Sequence, residues 1–223
     1  MHSRVAVLID GGFYRKRYRV VFGQYPDDPK QMANKLYAMA MVHAGGRDNL
    51  YRIFYYDCPP LDKKGHHPLT GRAIDFGKEP QAKYMNAYLE ELQKKRKVAM
   101  RLGHLGGMGH WNIKPDFTKD IVSGKLDPTQ LKENDIIYDM KQKGVDMKIG
   151  IDIATLAYKQ FVGKIVLIAG DADFVPAAKL ARREGIDFVL DPMWQNIHPH
   201  LMEHIDGLKS SGENPAKRTT KKP

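Results

Sequence analysis

The chain has 223 residues, a 42% hydrophobic share and a formal net charge of +10. That length suits one domain of ordinary size with an insertion, or two small ones, and the apolar share supports a packed core rather than a disordered chain. A single cysteine, Cys58, excludes an internal disulfide and a cysteine-rich zinc site, and no stretch approaches the ~20 apolar residues that a membrane span needs.

The start, MHSRVAVLIDGG, has a short apolar run and no small-residue cleavage site, so no signal peptide and a cytoplasmic setting are expected. Residues 209–223, KSSGENPAKRTTKKP, hold five Lys/Arg against one Glu and leave +6 on the rest. They read as a flexible basic tail behind a domain spanning 1–208. A basic body with a basic tail favours a polyanionic partner, nucleic acid first.

In chain order, RVAVLI (4–9) is a first buried strand, and Lys30 to His43 a helix with Met32, Leu36, Met39 and Val42 on one face. LYRIFYYD (50–57) is a second strand, rich in β-formers. Insertion-like stretches are expected near 58–80 and 106–143, the second of them irregular, with a helix near 81–95 and a strand VAMRLGHL (98–105) between them. Val145 to Phe161 is a helix with Ile149, Ile153, Leu156 and Tyr158 inward. KIVLIAGDADFVPAAKLARREG (164–185) runs from a buried strand into a helix, DFVLD (187–191) is a fifth strand, and a last helix lies near 198–208. Strands alternating with helices imply a parallel sheet covered on both faces, with sites beyond the strand carboxyl ends where strand order reverses.

Carboxylates occupy those ends. Asp10 follows the first strand, Asp57 the second, Asp171 and Asp173 the fourth and Asp191 the fifth. Asp146 stands at the entry of the helix before the fourth strand, and Asp152 lies about 240° of helical rotation further on. A bland alternative has Asp173 capping the following helix, which explains one carboxylate but not two. Two like charges ~4 Å apart repel by roughly 4 kcal/mol at an effective dielectric near 20. Either their pKa values rise or a cation offsets the repulsion, and oxygen-only ligands suit Mg²⁺ or Mn²⁺. An acidic metal pocket within a basic surface fits a nuclease.

VAVLIDGGFYRKR, KQKGVDMKIGIDIATLA and IVLIAGDADFVPAAKLARREGIDFVL together resemble the signature blocks of the NYN domain, a PIN-like nuclease superfamily. The resemblance implies a Rossmann-like three-layer α/β/α sandwich with a central, mostly parallel five-stranded sheet. It implies a metal-dependent ribonuclease whose acidic set is Asp10, Asp146, Asp171 and Asp173, with Asp152 as a further acid. Where many relatives carry an Asn shortly after the first acid, this chain has Gly11, Gly12 and Phe13.

The remaining motifs have ordinary readings beside functional ones. Gly11–Gly12 reads as a turn and GHLGGMGHWN (103–112) as a loop, with Trp111 a candidate for base stacking. Lys143, before the Gly144 turn, is best placed to touch a phosphate, and Arg15, Lys16 and Arg17 form a backbone-binding patch on a half-solvated helix. A metal-dependent ribonuclease, an endonuclease acting on RNA, is the leading reading; a non-catalytic RNA-binding or regulatory module is the alternative. A dehalogenase-type phosphatase needs a second Asp where this chain has Gly12. Self-association is left open.

Overall fold

Val5–Asp10 forms β1, an unbroken apolar run that is buried on both faces until its terminal carboxylate. In the computed structural model, which describes residues 4–217, it is the centre of a six-stranded parallel sheet. The other strands are β2 (Leu50–Asp57), β3 (Val98–Leu102), β4 (Lys164–Ile168), β5 (Asp187–Asp191) and β6 (Gly207–Leu208). Their order across the sheet is β3-β2-β1-β4-β5-β6, every pair parallel. Strand order therefore reverses between β1 and β4, which pair from Val5↔Lys164 to Ile9↔Ile168. In parallel α/β sheets a site is expected beyond the carboxyl ends at such a reversal, here the β1–β4 crevice. Five strands were expected. The sixth is the two-residue β6, which takes residues assigned to the last helix; that helix shrinks to Pro199–Met202.

Five helices serve this body: α1 (Gly11–Phe22), α2 (Pro29–Ala44), α3 (Pro80–Gln93), α4 (Val145–Tyr158) and α5 (Val175–Arg183). Asp28 caps α2 by accepting from Lys30 N at 2.9 Å, and Pro29 sits where its missing N–H is harmless. Met32, Leu36 and Met39 of α2 are buried, but Val42 is exposed: the inward place in the last turn belongs to His43. On α4, Ile149, Ile153 and Leu156 face the core, while Tyr158 is solvent-exposed. Each such fully buried aliphatic side chain contributes roughly 1.5–3 kcal/mol. No helix among the described residues is long and apolar enough to cross a membrane.

The described residues form two compact units. The sheet and its helices, α3 only from Ala87 onward, belong to one, drawn from Met1–Cys58, Ala87–Gly103 and Gly144–Pro223. The other comprises Pro59–Asn86 and His104–Lys143. It contains two antiparallel hairpins, Lys64–His66 with Ala73–Asp75 and His104–Ile113 with Ile136–Lys143, and a helix at Pro115–Val122. The stretch read as irregular thus contains two paired strands and a helix, and the third sheet strand stops at Leu102 instead of reaching Leu105. Within this unit Trp111 packs edge-on against His67 and Tyr138 at centroid distances of 5.0 and 5.1 Å, and Phe76 stacks on Tyr138 at 5.0 Å.

The segment expected to be a tail begins with anchored residues. Ser211 is buried: its N–H donates to Asp191 Oδ2 at 3.1 Å, and its Oγ lies 2.6 Å from His43 Nε2. His43 Nε2 is also 2.7 Å from Asp191 Oδ2. Residues 218–223 lie outside the described residues.

Candidate active site

Asp10 ends β1 and starts α1. Its Oδ1 accepts from Phe13 N at 3.0 Å, so the strand-end acid is also the helix cap. Burial raises its pKa from 3.8 to about 6, against the lowering effect of the Phe13 hydrogen bond; the charges of Asp146 and Asp57 raise it further. Asp171 repeats the pattern after β4. Its Oδ1 accepts from Asp173 N at 3.0 Å and caps the short 3-10 turn Ala172–Phe174 that leads into α5. The capping role considered for Asp173 therefore falls to Asp171, and the α5 cap position, Phe174, has no side-chain cap. Asp171 and Asp173 are both exposed.

Asp146 lies in the first turn of α4, exposed, with its pKa raised by partial desolvation and then by the charges of Asp171 and Asp173. Asp146 thus links the two strand ends: its charge raises Asp10, and its own pKa is raised by Asp171 and Asp173. Four acids from three separated stretches of chain converge electrostatically on the β1–β4 crevice. Among the described residues, no three Asp, Glu, His or Cys side chains are gathered closely enough to hold a metal ion. The donor set nevertheless fits a hard divalent cation in kind. It is all carboxylate, and the pKa values of Asp10 and Asp146, raised by burial first and by neighbouring carboxylates second, mark a place where a cation would be welcome.

Asp152 is engaged elsewhere. Its Oδ2 accepts from Tyr56 OH at 2.7 Å and from Arg101 Nε at 2.9 Å. Arg15 is likewise occupied: its Nη2 donates at 2.8 Å to Oδ1 of Asp57, a fully buried carboxylate whose Oδ2 accepts from Tyr55 OH at 2.8 Å. Arg17 grips the Met193 carbonyl through Nε at 3.1 Å and Nη2 at 2.7 Å. Of the three basic residues assigned to a backbone-binding patch, Lys16 alone is exposed. Lys143 is exposed at the end of its hairpin, and Trp111 is half-buried in the aromatic cluster of its own unit.

Two features near the crevice escaped the sequence reading. Gly11 is not there for a turn: a Cβ on it would fall 2.6 Å from Asp57 Oδ2 and from the Tyr55 ring. A Cβ on Gly170, beside Asp171, would fall 2.5 Å from Phe13 Cε2 and 2.9 Å from Gln195 Nε2. The Gln195 side chain thus reaches the turn after β4, and nothing in the pattern around WQN marks it.

The family model described as NYN domain matches residues 76–197, a span that includes Asp146, Asp152, Asp171 and Asp173 and leaves Asp10 outside. No curated protein matches the chain. Among solved structures, the chain is similar to a protein of unknown function, VPA0982, from Vibrio parahaemolyticus RIMD 2210633, at 10% identity and a TM-score of 0.48, with 96% of each chain covered. It is also similar to a chain from a structure described as the structural basis for the mechanism and regulation of Sir2 enzymes. That likeness has 11% identity and a TM-score of 0.37, and covers 99% of this chain and 94% of the other. Neither likeness bears on activity.

Proposed function

The chain belongs to the NYN domain family, and on that premise we propose that it is a metal-dependent ribonuclease, an endonuclease that hydrolyses RNA phosphodiester bonds with Mg²⁺ or Mn²⁺. The observation that carries this reading is the gathering of carboxylates beyond the β1 and β4 ends, where the pKa values of Asp10 and Asp146 are raised by burial first and by neighbouring carboxylate charge second. Asp10, Asp146, Asp171 and Asp173 would hold the ion. When bound there, the ion activates water and offsets the charge on the leaving oxygen. The chain's own contribution is placement: Asp10 and Asp171 are pinned by their capping hydrogen bonds, each through Oδ1. The net charge of +10 supports RNA as the polyanion gathered around this acidic pocket.

A second reading, a non-catalytic RNA-binding module, is favoured by the lack of three gathered ligands among the described residues. A circular single-stranded RNA separates the two. The wild type should open the circle with Mg²⁺ or Mn²⁺ but not in EDTA. Asp171→Asn, which keeps a capping oxygen but loses the charge, should bind the RNA and leave it intact. Trimming of linear RNA with the circle untouched would make the enzyme an exonuclease. An intact circle and intact linear RNA would favour the binding module.

A further inference from the structure

Met193 and Trp194 are two consecutive non-glycine residues in the left-handed region, with φ of 45° and 62°. Bulky residues rarely adopt this conformation, and it persists only where the surroundings over-determine it. Here they do. Asp191 Oδ1 accepts from Met193 N at 2.7 Å, Arg17 holds the Met193 carbonyl with two N–H groups, and the Met193 side chain is fully buried. Trp194 N donates to Ser210 Oγ at 3.0 Å, and Trp194 Nε1 to the carbonyls of Ser211 and Gly212 at 3.2 and 3.3 Å. The turn closes with Gln195 N donating to the Pro192 carbonyl at 2.8 Å.

What this strained turn delivers is the Gln195 side chain. Its Nε2 lies against Gly170, next to Asp171, and Phe13 from the turn capped by Asp10 lies against the same glycine. Gly170 therefore leaves room for two side chains at the mouth of the crevice. Gln195 is half-buried, and its amide has no hydrogen-bond partner among the described residues. The acids there only accept hydrogen bonds, and the Oδ1 atoms of Asp10 and Asp171 already hold the neighbouring backbone N–H groups. A phosphodiester entering the crevice needs a donor. A lysine would instead pair with the acids; a neutral amide donates without neutralising them.

Resting on the ribonuclease reading, we infer that Gln195 is a substrate-binding residue whose Nε2 donates to a non-bridging oxygen of the RNA phosphate, and that the Met193–Trp194 turn, held by Arg17, positions it. Hydrogen bonds to charged groups are strong enough that Gln195→Ala should lower kcat/KM by roughly 10- to 100-fold. Gln195→Glu, which repels phosphate, should lower it further. Arg17→Lys keeps the charge but loses the two-pronged grip on the turn, so it should move kcat/KM in the same direction.

The test compares cleavage of RNA carrying a single Rp or Sp phosphorothioate with binding of unmodified RNA in EDTA. Sulfur at the oxygen that Gln195 contacts should slow the wild type, and that part of the penalty should vanish in Gln195→Ala. Binding in EDTA should weaken for Gln195→Ala and Gln195→Glu, with thermal melts unchanged. Wild-type rates, thio penalties and affinity in the folded variants would overturn the inference while leaving the ribonuclease reading in place. If the wild type does not cleave at all, that reading fails, and the binding arm alone decides whether Gln195 contacts phosphate.

Discussion

Asp10 and Asp171, at the carboxyl ends of the neighbouring strands β1 and β4, each accept through Oδ1 from a backbone N–H two or three residues on. The same atom types that assemble the acidic crevice thus start the chain segment that leaves it. This double use has measurable consequences, because each acid can be made neutral without losing its capping oxygen.

Asp10 has a folded pKa of about 6 against an ordinary 3.8, chiefly through burial. The stability contributed by its neutral form is fully present below pH 3.8 and is lost as pH rises through about 6. A shift of about 2 units corresponds to about 3 kcal/mol. Asp10→Asn keeps the cap and removes the titration. In EDTA it should melt above the wild type at pH 7.5 and converge with it near pH 4. Mg²⁺ or Mn²⁺ at a hundredfold excess over Kd should add ~2.7 kcal/mol to the wild type and less to the variant. Identical melting curves at pH 7.5 would show that burying the Asp10 carboxylate costs the fold nothing.

Gly11→Ala places a methyl group 2.6 Å from Asp57 Oδ2 and the Tyr55 ring, both fully buried. Overpacking of this kind costs about 1–3 kcal/mol, and a displaced Asp57 adds to it. Urea unfolding should show the loss as a lower midpoint with an unchanged slope. A neutral outcome would mean that the contact relaxes without disturbing the buried pair.

Arg15 and Lys16 should part company under mutation. Arg15→Met leaves the Asp57 carboxylate buried without its partner, which costs about 3–5 kcal/mol. Lys16→Met should leave stability nearly unchanged and weaken RNA binding with a shallower salt dependence. If Arg15→Met folds as well as the wild type and only loses RNA affinity, Arg15 belongs to the binding surface after all.

The end of the chain can be divided by truncation. Removing 213–223 spares the His43–Asp191–Ser211 cluster and should lower the melting temperature less than a cut that takes Ser211. Removing 209–223 strips Asp191 and His43 of buried partners and frees the Trp194 indole N–H, a loss of about 2–4 kcal/mol. Equal melting of the two truncations would show that the cluster contributes nothing.

Much of the body was legible because buried parallel strands write themselves as unbroken apolar runs, and their ends were marked by Asp10, Asp57, Asp171 and Asp191. The hairpin at His104–Ile113 was not, since Gly106, Gly107 and Gly109 carry the signature of a loop and no alternation survives them. β6 is too short to show any period. Arg15 looked free because it sits on α1 while its partner, Asp57, ends β2, and nothing local betrays an ion pair made across the fold. Gln195 stayed hidden for a related reason. Its position depends on two left-handed residues of types that do not advertise that conformation.

The pairing of β1 with β4 also bears on when the crevice exists. Val5 must wait for Lys164 before the two central strands can meet, so the acids after β4 join Asp10 only long after Asp10 has been made. Contacts so distant in sequence form late, and a chain leaving the ribosome grows from its amino end. Until then Asp10 stands at the edge of an unfinished sheet, without Asp171 or Asp173 beside it. A polypeptide tethered to its own messenger carries no assembled acidic crevice until β4 and the turn after it have emerged.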